Sequence, residues 1–205
     1  MLKKWLKFVL FSLGLFFSLV FTVNAESVNP LSHHMNDPIA GNPKGKITVV
    51  EFFDYQCSHC MTMAPVMAAI VKANPNVRVI FKDYPIRGPL SVYAARAALA
   101  ANKQGKYEVF NHALLTTNLP LSESNILDIA KSTGININKL KNDMNSDSVK
   151  NQLQANIDLA RELNLTGTPA FYIGKSDAKN RSHIDFVLGE MSQNDLQDAI
   201  KKVSM

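Results

Sequence analysis

Cys57 and Cys60 are the only cysteines in 205 residues, and two residues, Ser58 and His59, separate them. A pair at that spacing on a first helical turn can close a small disulfide, supply half of a metal site, or exchange electrons with other thiols. A structural zinc would need two more ligands. The candidates are His33, His34, His112 and His183, and none stands at the tight, cysteine-rich spacing such sites use. No metal is expected. A bridge across two residues removes little entropy from the unfolded chain, so it is a poor staple. Redox exchange is the reading that fits an isolated pair.

That chemistry requires a thiolate. The first turn of a helix offers unpaired N–H groups and a partial positive charge, both favourable to an anion. Cys57, at the expected helix start, receives the larger share and is assigned as nucleophile. Cys60, one turn further in, is more shielded and is assigned as the resolving thiol. His59 can donate to the Cys57 thiolate or place charge beside it, which favours the reduced form and makes the disulfide a stronger oxidant.

The flanking residues supply the support. Lys46 to Phe53 predicts a strand covered on both faces, with Ile47, Val49, Glu51 and Phe53 on one side and Thr48, Val50 and Phe52 on the other. Glu51 is the anomaly: a carboxylate there must be paired, protonated or kept for chemistry. Lys82, near the end of a second predicted strand over 77–82, is a candidate partner. Between the strands, a helix is expected from about Cys57 to Ala73, with a kink at Pro65.

From Leu90 to about Asn164 the periodicity is helical, with segments predicted over 91–103, 107–116, 122–132, 137–144 and 147–163. Strands return over 170–173 and 183–188, and Ser192 caps a last helix. The order predicts a mixed sheet with helices on both faces. Residues 26–45 carry Pro30, Pro38 and Pro43 and read as an irregular lead-in.

The first 25 residues read as a secretory signal peptide: Lys3, Lys4 and Lys7, an apolar run from Phe8 to Val23, then Ala25 before the cleavage point. The whole chain carries +5. Without the leader's three lysines, 19 basic and 17 acidic residues leave +2. No dense basic patch remains, so nucleic-acid binding is not expected. Export would place the pair in an oxidising compartment.

The run from Val50 through Glu51, Asp54 and Gln56 to Cys57-Ser58-His59-Cys60 resembles the active-site segment of the DsbA-like branch of the thioredoxin superfamily. Pro65 resembles that family's active-site-helix proline, and Gly167-Thr168-Pro169-Ala170-Phe171 its cis-proline loop. The stretch from Asp37-Pro38 to Gly45 is similar to a segment of an exported subgroup. The resemblance implies a thioredoxin fold, α/β, with an inserted all-helical domain. Its expected divisions are 1–25, signal peptide; 26–45, lead-in; 46–87 and 166–205, the two parts of the thioredoxin-like domain; and 88–165, the insert. It implies that Thr168 and Pro169 bind substrate beside the cysteines, and that Glu51 relays protons to the inner one.

The resemblance also implies a protein disulfide oxidase of the periplasm, acting on reduced or unfolded exported proteins. A DsbB-like quinone-linked membrane oxidase would reoxidise it, and no bound cofactor is needed because the thiols carry the electrons. Ser58 stands where the best-known members have proline, and Thr168 where the best-known oxidase has valine. Isomerase or reductase activity is therefore the alternative direction. A chaperone-like binder using Met61 and Met63 is a third reading.

Overall fold

The computed structural model describes residues 29–32, 34–179 and 181–205. The expected leader and His33 lie outside them. Five strands form one mixed sheet, in the order β1-β3-β2-β4-β5. They are β1 (Ile39–Gly41), β2 (Ile47–Phe53), β3 (Val77–Asp83), β4 (Ala170–Lys175) and β5 (Ile184–Leu188). β2 and β3 run parallel, and every other neighbouring pair is antiparallel. All seven residues of β2 are buried, as its doubly apolar pattern requires.

Among the described residues there are seven α-helices: α1 (Ser58–Ala73), α2 (Pro89–Asn102), α3 (Tyr107–Thr116), α4 (Glu123–Ser132), α5 (Ile137–Met144), α6 (Asp147–Glu162) and α7 (Gln193–Ser204). Four of the predicted starts coincide with side-chain caps. Ser122, Asn136, Ser146 and Ser192 each accept from a backbone N–H three residues on, and Ser192 closes a capping box with Asp195. Pro65 lies inside α1 without ending it.

The sheet separates two cores. One face packs Val49, Phe53 and Phe81 against α1, α3 and α7, and this core continues into α2, α4 and α5. The other packs Val50, Phe52, Ile80 and Tyr172 against Ala160, Leu163 and Leu165 at the end of α6. The five helices from α2 to α6 follow one another between β3 and β4. They continue the apolar core of α1, so their placement bears on the site.

Two expectations are corrected. The lead-in is not wholly irregular: Ile39, Ala40 and Gly41 pair with Ile80, Val79 and Arg78 as an edge strand. Three residues, following Pro38 and ending on Gly41, are too short to show a period, and the pairing partner lies about 40 residues away. Gly41 ends the strand at φ 75°, where a Cβ would stand 2.7 Å from the Val77 carbonyl oxygen. The second correction concerns Lys82. It aligns with Phe52 on the face opposite Glu51, and its ammonium lies 2.6 Å from Asp37 Oδ2, with both side chains fully buried. The β1–β3 register, carried two residues beyond Ile39–Ile80, sets Asp37 opposite Lys82.

Candidate active site

β2 ends at Phe53, and the chain turns over Asp54, Tyr55 and Gln56 to Cys57, the N-cap of α1. The backbone N–H of Cys57 donates to the Asp54 carbonyl at 3.1 Å, which fixes the turn. Cys60 sits three residues into the helix. Both cysteines are unbridged and buried. Unlike the serine and asparagine caps, Cys57 makes no side-chain cap bond as a thiol. The N–H groups of its turn therefore remain available to a sulfur anion.

The two sulfurs are pushed in opposite directions. Burial raises the Cys57 thiol, but the Thr168 side chain, the backbone N–H and thiol of Cys60, and the Arg87 cation together outweigh it, and the balance lies below the usual thiol value. For Cys60 burial dominates, and its thiol is held far above the usual range despite help from the Asp54 backbone and Thr168. Of the two sulfurs, the outer one is the more readily ionised.

The loop before β4 closes over the pair. The Thr168–Pro169 peptide bond is cis. The Cys57 thiol donates to the Thr168 carbonyl at 3.2 Å. The Thr168 hydroxyl is buried without a hydrogen-bond partner, and it acts on both sulfurs. On the other side of the Pro169 peptide, its carbonyl accepts from Gly189 N–H at 2.8 Å, just beyond β5.

Glu51 is buried, and its Oε1 has no hydrogen-bond partner. Desolvation raises its carboxyl to about 8. The carboxyl borders a cavity of about 480 Å³ whose lining includes Met67 of α1 and Asn111 and His112 of α3. Sequence reading overlooked a second acid on the same face. Asp83 aligns with Phe53, accepts from the Tyr107 hydroxyl at 2.8 Å, and is raised to about 7, again chiefly by burial. Tyr55 donates to Asn111 at 2.9 Å in the same polar seam.

His59 points away from this interior. Its Nδ1 lies 3.3 Å from Glu190, and both side chains are about half exposed. The cation that reaches Cys57 Sγ is Arg87, whose Nη2 lies at 3.7 Å. Nothing in the local pattern marks Arg87, because it comes from the loop after β3. Met63 is fully buried, and its sulfur accepts from Met191 N–H at 3.2 Å; it is core rather than an adaptable surface. Met61 is half-buried against the same core.

A dithiol at the mouth of a helix, fed by a central strand of a mixed sheet and faced by a cis-proline loop, is the layout of the thioredoxin fold. The chain belongs to the family described as the DSBA-like thioredoxin domain, which matches residues 48–201. It is similar to the thiol:disulfide interchange protein DsbA of Bordetella parapertussis, 32% identical over 149 residues and 69% of each chain. It also aligns with Na(+)/H(+) antiporter NhaA 3 of Salinispora tropica, 24% identical, where the match covers 67% of this chain but only 21% of the antiporter. Among solved structures, a thioredoxin-like oxidoreductase from Silicibacter pomeroyi superposes with a TM-score of 0.75 at 39% identity, covering 83% of this chain and 94% of that one. The catalytic domain of Proteus mirabilis ScsC gives 0.72 at 28% identity, covering 84% and 92%.

Proposed function

We propose that this chain is an exported, periplasmic protein disulfide oxidase working through a reversible Cys57–Cys60 disulfide. The observation that carries the reading is the opposed ionisation of the two sulfurs beside the Thr168–Pro169 loop. A substrate thiolate attacks Cys57 Sγ of the oxidised pair. The internal S–S bond breaks, and Cys60 leaves with the electron pair and takes up a proton. The second substrate thiolate then attacks its own sulfur in the mixed disulfide. Oxidised substrate departs, and Cys57 remains as thiolate. The pair has gained two electrons and the substrate has lost two.

In this scheme the extended substrate lies along Thr168 and Pro169, and Glu51 supplies and retrieves the Cys60 proton. In the scheme, the cavity that Glu51 borders is the route by which its carboxyl re-equilibrates with solvent. His59 adds to the tuning from the exposed side. Reduced or unfolded exported proteins are the substrates, and a DsbB-like quinone-linked membrane protein takes the electrons. The similarity to the Bordetella thiol:disulfide interchange protein supports this reading. Isomerase or reductase activity is the second reading, favoured by the Thr168 hydroxyl at the sulfurs.

The test is the redox equilibrium of the Cys57–Cys60 pair against glutathione, with turnover of a reduced, unfolded disulfide protein measured alongside. An oxidising pair that forms substrate disulfides supports the oxidase. A thioredoxin-like reducing equilibrium reverses the direction. Cys57→Ser is expected to abolish exchange, and a Cys57→Ser protein that still acted would refute the scheme.

A further inference from the structure

Arg87 is exposed, yet its position is closely specified. Its backbone N–H donates to Asp54 Oδ2 at 2.9 Å, and its carbonyl accepts from Gln56 Nε2 at 3.1 Å. Asp54 Oδ1 accepts from Gln56 N–H and from Ser91 Oγ, each at 2.7 Å. Gln56 Nε2 also donates to Ser91 Oγ at 2.8 Å. Asp54 and Ser91 are buried. The turn that delivers Cys57 and the first turn of α2 are thus joined by one small network, and Arg87 is the residue between them.

From this geometry we infer that Arg87 is the cation that stabilises the Cys57 thiolate, and that Asp54, Gln56 and Ser91 are positioning residues that hold it there. The inference rests on the thiol-exchange reading and names a tuning group for it. The other charges near Cys57 do not substitute. His59 lies on the exposed side, its Nδ1 3.3 Å from Glu190. The Asp54 carboxylate is already occupied by three donors. A guanidinium 3.7 Å from Sγ acts on the ionised sulfur and scarcely on the disulfide. It therefore favours the reduced form and makes the pair a stronger oxidant.

The network holds Arg87 through backbone atoms, so changing its side chain leaves the clasp in place. Arg87→Met should raise the Cys57 thiol pKa, read from thiolate ultraviolet absorbance against pH. It should also shift the glutathione equilibrium toward the disulfide by about three- to tenfold, the size of a near but solvent-screened charge. Arg87→Lys should recover part of both. Ser91→Ala should move the thiol pKa the same way by a smaller factor, which a purely structural serine would not do.

In the unaltered protein, added salt should raise the same pKa, and Arg87→Met should lose that salt dependence. The salt response of the unaltered protein does not depend on any variant folding, and its absence would overturn the inference. Unchanged pKa, equilibrium and salt response in Arg87→Met would overturn the inference while leaving the direction of exchange standing. A reducing wild-type pair would overturn the direction while the difference between the two proteins still reported on Arg87.

Discussion

The two faces of the β2–β3 pair treat buried charge in opposite ways. On one face, Lys82 and Asp37 are wholly enclosed and neutralise each other at 2.6 Å. On the other, Glu51 and Asp83 are enclosed with no cation, each keeps one oxygen unpartnered, and both carboxyls are raised toward or past neutrality. A paired buried ion contributes little net stability, but removing its partner is costly. A lone buried acid penalises the fold wherever it ionises, and fold stability gives no reason to keep it. The paired face is thereby read as architecture, and the unpaired face is the one that the proposed exchange would use to handle protons.

The largest effect should come from breaking the pair. Asp37→Ala leaves a buried ammonium and should cost about 3–5 kcal/mol in chemical denaturation, whereas an apolar replacement of both partners should recover most of it. If the single change is harmless, the two faces do not differ as described.

Glu51→Gln should act in the opposite sense. A carboxyl near 4.5 when unfolded and about 8 when folded binds more protons in the native state between those values, so stability falls as pH rises through that window. Glu51→Gln should therefore stabilise by up to on the order of 4 kcal/mol above pH 8, and the gain should vanish below about pH 4. The same variant should slow the step in which Cys60 exchanges its proton. Denaturation curves across pH, paired with stopped-flow exchange, measure both.

Asp83→Asn should give a smaller gain of the same sign, about 1–3 kcal/mol at pH 8: its window, from about 4 to about 7, is nearly as wide as that of Glu51, but a neutral amide accepts more weakly from Tyr107 than the carboxylate it replaces. A loss of stability across all pH values would move Asp83 to the architectural side.

What the sequence disclosed follows the range of the interactions. Period two over Ile47–Phe53 identified the central strand and put Glu51 on a buried face. Cap residues such as Ser122 and Ser192 located helix starts within a residue. The cysteine pair and Thr168–Pro169 carry their own local signatures, and the structure brings them to 3.2 Å. Alternation alone, however, assigns a face and not a partner. Lys82 therefore pointed to Glu51 until the β1 register revealed Asp37. Arg87 and Asp83 escaped for the same reason: their relevance arises from contacts across 24 to 33 positions.

The counter-ion of Lys82 comes from a segment preceding the central strand, and this sets how far the chain can be shortened. An aminopeptidase working inward would first take away the buried Leu31, a loss of apolar packing, before it passed Asp37. Beyond that residue an ammonium is stranded inside the protein, and continued digestion should become abrupt and complete.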